Sequence, residues 1–303
     1  MTVALMLNRK AGTGRANRLA EYVFEQFTKN GIEYVFVEAT SAQDAIEKAS
    51  AIAHQVEAVV AVGGDGSVHT AAQVAWKHKL PLGIIASGSG DDIARACGLP
   101  HGRRYSQIQS AVDHFVQAWN KRDLTHIDVL SATTGDGKDH AVLAVLSAGF
   151  DSRVSVTSQS MLYIRGTLRY ILAMVNTLRS FTPIHYEMNI DGAHKRFHAM
   201  MVAIGTGSMF GGGMKVLPDA KVNDGELDMI VINEVSIPTF LSIFPRVFNG
   251  SHVHHPVVDT HRVKNVSLHA EGEQVWGDGE FLGMSPVQIN VDAAGIQVVG
   301  VRL

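Results

Sequence analysis

Apolar residues fall in two rhythms along this chain, one in each half. In the first 130 residues, short apolar runs alternate with stretches of helical spacing. Residues 3–7, 58–62 and 82–85 are unbroken apolar runs, the pattern of strands buried on both faces. Residues 32–37 alternate as a fourth strand. Between them, Leu19, Val23, Phe24 and Phe27 recur at helical spacing and stop at Gly31. Ser41 with Asp44 forms a capping-box pattern ahead of a helix over 45–54. Further helices are predicted over 68–77, 93–97 and 108–119. This order of strand and helix predicts a parallel sheet with helices on both faces, an α/β domain.

After about residue 125 the rhythm changes to period-two alternation punctuated by Asp-Gly turns. Strands are predicted over 127–133 and 141–148 around Gly135-Asp136-Gly137, and over 184–190 and 197–204 around Asp191-Gly192. Runs at 227–232, 263–269, 274–276 and 287–291 add four more, and helices interrupt at 162–180 and 238–248. This half predicts a mostly antiparallel, β-sandwich-like domain. No linker, repeat or low-complexity segment separates the halves, so the boundary is a change of pattern. It is placed between domains 1–130 and 131–303.

Composition narrows the functional classes. At 303 residues the chain has room for two domains, and 46% hydrophobic content supplies two cores. Lys and Arg number 26 against 29 Asp and Glu, without the basic excess that marks a nucleic-acid binder. One cysteine, Cys97, permits no internal disulfide, which fits a reducing compartment. It precedes Gly98 and is read as a small core residue rather than a nucleophile. The first apolar run has no basic segment before it and reads as a strand, not a leader. No apolar run approaches the roughly 18 residues of a membrane span. The expectation is a soluble, cytoplasmic protein with room for peripheral membrane contact.

The candidate chemistry lies where the predicted parallel strands end. Gly12-Thr13-Gly14, Gly63-Gly64-Asp65-Gly66-Ser67 and Gly88-Ser89-Gly90 each follow a strand and precede a helix. Singly, each glycine could merely make a turn. Together at the carboxyl edge of one sheet, such loops let backbone amides approach an anion, helped by helix N-termini, as a nucleotide with several phosphates requires. The chain has neither a Walker-type G-x-x-x-x-G-K-[S/T] nor a complete G-x-G-x-x-G, because Ile93 stands at the third glycine. Asp65 and Asp92 beside these loops would repel phosphates unless a cation lies between, which points to Mg²⁺ held against a polyphosphate.

These residues resemble the diacylglycerol kinase catalytic-domain family, which is related to sphingosine, ceramide and NAD kinases. Residues 63–67 resemble its G-G-D-G-T signature, and 88–95 its G-T-G-N-D-F-A-R element. Asn8-Arg9-Lys10-Ala11-Gly12 is similar to its N-P-x-S-G opening, and Thr40 stands where it places a nucleotide-contacting threonine. Residues 223–228 resemble its N/D-D-G-x-L-D motif, and Asp278-Gly279-Glu280 its D-G-E motif. The resemblance implies an α/β nucleotide domain, a β-rich domain and an active site in the cleft between them. It implies ATP contacts from Asn8, Arg9, Lys10, Ala11, Gly12, Thr40, Gly63, Gly64, Asp65, Gly66, Ser67, Val68, His69 and Ser89. It implies that Asp65 and Asp92 organise Mg²⁺, and that Glu280, with Asp278 beside it, is the base for a lipid hydroxyl. A second, structural Mg²⁺ would fall to Asp224 with the carbonyls of Lys221 and Glu226. The implied activity is ATP- and Mg²⁺-dependent phosphorylation of a lipid, diacylglycerol first among the candidates.

The chain departs from the family pattern at His69 and Thr70, where Asn-Glu is usual, at Asp91 for asparagine, and at Arg9 and Ala11. An NAD kinase-like activity and a nucleotide-binding regulatory protein therefore stay open beside the lipid kinase. For Asp278-Gly279 and Asp224-Gly225 an ordinary hairpin turn is the plain alternative. His252, His254 and His255 form a cluster that is read as a solvated loop rather than a zinc site. Met209-Phe210-Gly211-Gly212-Gly213-Met214 and the amphipathic helix at 238–248 are candidates for admitting a lipid tail or touching a membrane. Edge strands of the β domain are suited to pairing in a homodimer.

Overall fold

The computed structural model describes residues 2–7, 15–160, 173, 176–178 and 181–303. By internal contacts the chain divides into two units, Met1–Ile127 with Ala294–Leu303, and Asp128–Ala293.

The first unit alternates β1 (Thr2–Leu7), α1 (Arg15–Lys29), β2 (Glu33–Val37), α2 (Ala42–Ala51), β3 (Ala58–Gly63), α3 (Asp65–His78), β4 (Leu82–Ala86), α4 (Asp92–Ala96) and α5 (Tyr105–Asn120). The four strands are parallel in the order β2-β1-β3-β4. Alternate residues Val3, Leu5, Leu7 and Ala58, Val60, Val62 form one core with α1 and α5. There Phe115 stacks between Phe27 and Trp119, with ring centroids 5.5 and 6.2 Å apart. Gly83 is glycine because a Cβ would lie 2.4 Å from the Phe115 ring. The Ser41 hydroxyl caps α2 by accepting the Asp44 amide. The reciprocal half of the capping box differs, since Asp44 takes the amide of Thr40 instead of Ser41.

The second unit contains β5 (Leu124–Thr134, from its fifth residue), β6 (Asp139–Val142), β7 (Val145–Gly149), α6 (Phe150–Ser160), β8 (Ile184–Ile190), β9 (Ala193–Gly205), β10 (Leu227–Asn233), α7 (Ile237–Val247), β11 (Val258–Val263), β12 (Asn265–His269), β13 (Gln274–Gly277), β14 (Glu280–Met284) and most of β15 (Val287–Val299). These strands pair antiparallel with one another. β8 buries every second residue, one face in the core and one in water. The second half of β9, buried throughout, lies between β7 and β10.

Three differences from the sequence-based expectation have physical causes. The run 141–148 is two strands, because the Asp278 carboxylate takes the amides of Leu143 and Ala144 at 3.0 and 2.8 Å and breaks the ladder there. The run 263–269 is likewise split at Lys264, where Asp191 accepts the amides of Lys264 and Asn265 at 3.1 and 2.8 Å. Strand β15 continues eight residues past the predicted end at 291, and Val298 pairs in parallel with Leu82 of β4. The last ten residues thus belong to the first unit, where Gly300 and Arg302 donate to the carbonyls of Asp123 and Cys97. Helix α6 has no counterpart among the elements expected from sequence, and the helix predicted over 162–180 falls largely outside the described residues.

Candidate active site

Parallel register brings the two glycine turns together. Gly63, the last residue of β3, pairs with Ala86, the last of β4. The chains therefore leave the sheet side by side, and the Ser87 amide donates to the Gly63 carbonyl at 2.8 Å. One residue on, Gly64 and Gly88 meet backbone to backbone. A Cβ on Gly88 would stand 2.6 Å from the Gly64 Cα, and one on Gly64 3.1 Å from the Gly88 Cα. A Cβ on Gly63 would stand 2.4 Å from the Ser67 hydroxyl. Glycine is required so that two main chains can form one floor. Helix α3 starts on that floor, and its N-cap, Gly64, supplies no side-chain hydrogen bond to the helix amides. Uncapped amides and the positive end of the helix suit a phosphate.

The carboxylates around the floor do different work. Asp65, the first residue of α3, accepts the Ile93 amide of α4 at 3.2 Å and so ties the two turns together. Asp92 opens α4 and is buried. Asp91 takes the left-handed conformation at φ 55° and is 2% exposed. Its two oxygens accept the amides of Gly88 and Gly102 at 2.7 and 3.0 Å. Burial pushes its carboxyl up, and those two amides pull against that shift. Asp91 is therefore a tether inside the loop, not an open charge facing the floor. Sequence reasoning misses this role. The available signal is its residue type, since aspartate and asparagine tolerate αL and bond nearby backbone.

The remaining nucleotide candidates divide by exposure. Ser89 is exposed, whereas Val68 and His69 are buried on α3. His69 is bonded to Gln73 at 3.2 Å, and the Thr70 hydroxyl donates to the Gly66 carbonyl at 2.7 Å. Both residues are thus accommodated within the helix. Thr40 is exposed and donates its hydroxyl to Asp44 at 3.1 Å. Asn8, Arg9, Lys10, Ala11 and Gly12, with Thr13 and Gly14, lie outside the described residues.

In the second unit, Asp278 and Gly279 form the two-residue turn between β13 and β14, at φ 52° and 84°, as left-handed hairpin turns require. Asp278 is buried with both oxygens on backbone amides. Glu280, two residues on, is exposed at the start of β14 beside the exposed Phe281. The motif thus joins a fixed brace to a solvent-facing carboxylate.

The Lys221, Asp224 and Glu226 segment is organised differently from the metal site that the resemblance implies. Arg262 bonds Asp224 and also Glu226, the latter at 2.9 Å. Gly225, at φ 73°, donates its amide to Asp128 at 2.7 Å. The guanidinium supplies positive charge beside the Asp224 carboxylate, and its bond to Glu226 is to the side chain, not to the carbonyl that the resemblance names. Among the described residues no group of three His, Cys, Asp or Glu is placed to hold a metal.

Two other expectations meet the structure here. His252 is fully buried rather than solvated, in a 3₁₀ turn, with its Nε2 3.0 Å from the Val216 carbonyl. Burial lowers its pKa. Cys97 is fully buried, and burial pushes its thiol up to about 12, which makes it inert. Among the described residues no helix is long and apolar enough to cross a membrane.

Comparison with known proteins gives a consistent set of relatives. The family model described as "Diacylglycerol kinase catalytic domain" matches residues 2–121, and that described as "YegS C-terminal NAD kinase beta sandwich-like domain" matches 144–300. A diacylglycerol kinase of Mycobacterium tuberculosis is 32% identical over 302 residues, covering 99% of this chain and 95% of that protein. One of Bacillus subtilis is 26% identical over 272 residues, covering 87% and 84%. A solved diacylglycerol kinase structure from Bacillus anthracis str. Sterne superposes with a TM-score of 0.70 at 19% identity, covering 98% and 96% of the two chains. That likeness bears on the fold alone.

Proposed function

The chain belongs to the diacylglycerol kinase family of lipid phosphotransferases, and from that premise we propose that it transfers the γ-phosphoryl group of ATP to the hydroxyl of diacylglycerol, giving phosphatidic acid. The observation that carries the nucleotide half is the floor made by Gly63, Gly64 and Gly88, which any Cβ would fill. In the proposal the α3 amides and the 87–90 turn bind the phosphates. Asp65 and Asp92 would hold Mg²⁺, directly or through water, and the bound ion would supply positive charge against the phosphates.

Glu280 takes the proton of the acceptor hydroxyl as its oxygen bonds to the γ-phosphorus. The bond from that phosphorus to the bridging oxygen breaks, and ADP leaves with the electron pair. Asp278 anchors the turn that presents Glu280. A second cation held by Asp224 with the carbonyls of Lys221 and Glu226 would share the Asp224 carboxylate with Arg262. The lipid is met at a membrane surface, for which Ile237, Leu241 and Phe248, all exposed, offer an apolar edge at α7.

The test is a comparison of phosphate transfer to diacylglycerol by the parent and Glu280→Gln. Loss of a general base lowers turnover by about 10²–10⁴ and leaves nucleotide binding unchanged. An unchanged rate removes Glu280 from the mechanism.

A further inference from the structure

Several histidines of this chain are held by the backbone. His101, His114, His126 and His252 each place a ring nitrogen 2.7–3.0 Å from a main-chain carbonyl. His185 and His198 have no such bond among the described residues, and their ring contact is with each other. They are register partners on β8 and β9, and both are exposed. The Asp191-Gly192 turn closes this hairpin, with Ile190 opposite Ala193. Hydrogen-bonded and non-hydrogen-bonded pairs alternate outward from a closing pair of that kind. His185 and His198 therefore form a non-hydrogen-bonded pair, the position where facing side chains come closest. Their ring centroids are 5.2 Å apart, with the planes tilted by 57°.

That spacing is the one a shared metal ion demands. Zinc bound to a ring nitrogen at about 2.0–2.1 Å lies about 3.2 Å from the ring centroid, so two imidazoles on one tetrahedral ion have centroids about 5.2 Å apart. Because both side chains are exposed, each ring can turn to aim a nitrogen at the ion. The adjoining row toward the turn is Glu187 and Arg196, paired at 3.1 Å, so the neighbouring carboxylate is already engaged. His269 and His194, on the same face, stand opposite Glu187 and Asn189 rather than opposite another imidazole. We propose that His185 and His198 form a two-imidazole site for a first-row divalent ion of the zinc class, with water filling the remaining positions. Imidazole nitrogen suits such ions, whereas Mg²⁺ prefers oxygen. The site therefore differs in chemistry from the Mg²⁺ of the proposed reaction and shares no residue with it. An ion held there joins β8 to β9 and stabilises the folded hairpin, since the unfolded chain does not hold the two rings together.

The test is calorimetric titration of the full chain with zinc chloride in the presence of excess Mg²⁺, repeated on His185→Thr and His198→Thr. Threonine suits an exposed strand position, so both variants keep the fold. Each is expected to lose about 10²-fold in affinity at one site, because either imidazole of a chelate raises the effective concentration of the other. A second measurement needs no variant. Zinc is expected to protect His185 and His198 together from diethyl pyrocarbonate, read by peptide mapping of the parent protein. No zinc binding by the parent under Mg²⁺, an affinity unchanged in either variant, or equal modification of the two histidines with and without zinc overturns the proposal.

Discussion

Gly64 and Gly88 are glycine for each other's sake. Their Cα atoms face across a gap that would leave 2.6 Å to a Cβ on Gly88. Gly88→Ala is therefore expected to destabilise the first unit by about 1–3 kcal/mol, the cost of overpacking a closed contact, and to weaken nucleotide binding. Urea titration and nucleotide titration of the same sample check both. Asp151 gives a second residue-scale prediction, this time in pH. Burial pushes its carboxyl from 3.8 up to about 6. Between those values the folded state binds more protons than the unfolded one, so stability falls as pH rises through the window and the loss is complete above about 6. Asp151→Asn removes that cost. Its advantage over the parent should grow by about 2.5 kcal/mol between pH 4 and pH 8, since a carboxyl titrating at 3.8 is already more than half ionised at pH 4. Equal gains at the two ends, measured by denaturant titration, would show that Asp151 is not held protonated by its surroundings.

Elements here are cut to length by carboxylates that the hydrophobic pattern cannot reveal. Strands β6 and β7 read as one run, because 141–148 is apolar at almost every position. What divides them is Asp278, more than a hundred residues later, accepting two amides that a ladder would otherwise use. Asp191 divides β11 from β12 in the same way. Local patterns therefore locate most strands, including the β8–β9 hairpin with its Asp-Gly turn, but miss the long-range breaks. Asp278→Asn tests the brace without disturbing the turn, since asparagine also adopts the left-handed conformation at φ 52°. Its amide group can serve only one of the two backbone N–H groups. A loss of about 1–3 kcal/mol is expected on leaving the other unpaired, measurable by thermal unfolding. If stability is unchanged, the brace is not what holds the turn.

For the whole molecule, the sequence is most legible where one strand is followed by one turn. The glycine turns after β3 and β4 are evident from residue type, and parallel register then explains why they adjoin. Asp91 reads in the sequence as an added charge, whereas its burial and two amide bonds make it part of the loop. One reason for supposing a redirected or inactive protein thereby loses force. The return of residues 294–303 to the first unit is not legible, because a single parallel bridge and a few backbone bonds leave no mark on hydrophobic spacing. The same holds for Arg262, whose bonds to Asp224 and Glu226 join a strand to a loop 36 to 38 positions away.

The central claim is that phosphate passes from ATP to a lipid. Its most direct test is incubation of the full chain with Mg²⁺ and γ-labelled ATP in the presence of a mixed lipid extract and NAD, followed by partition between organic and aqueous phases. The account predicts label in the organic phase, dependent on Mg²⁺ and co-migrating with phosphatidic acid. Label found only on NAD in the aqueous phase, or no transfer by a protein shown to bind ATP, would contradict it.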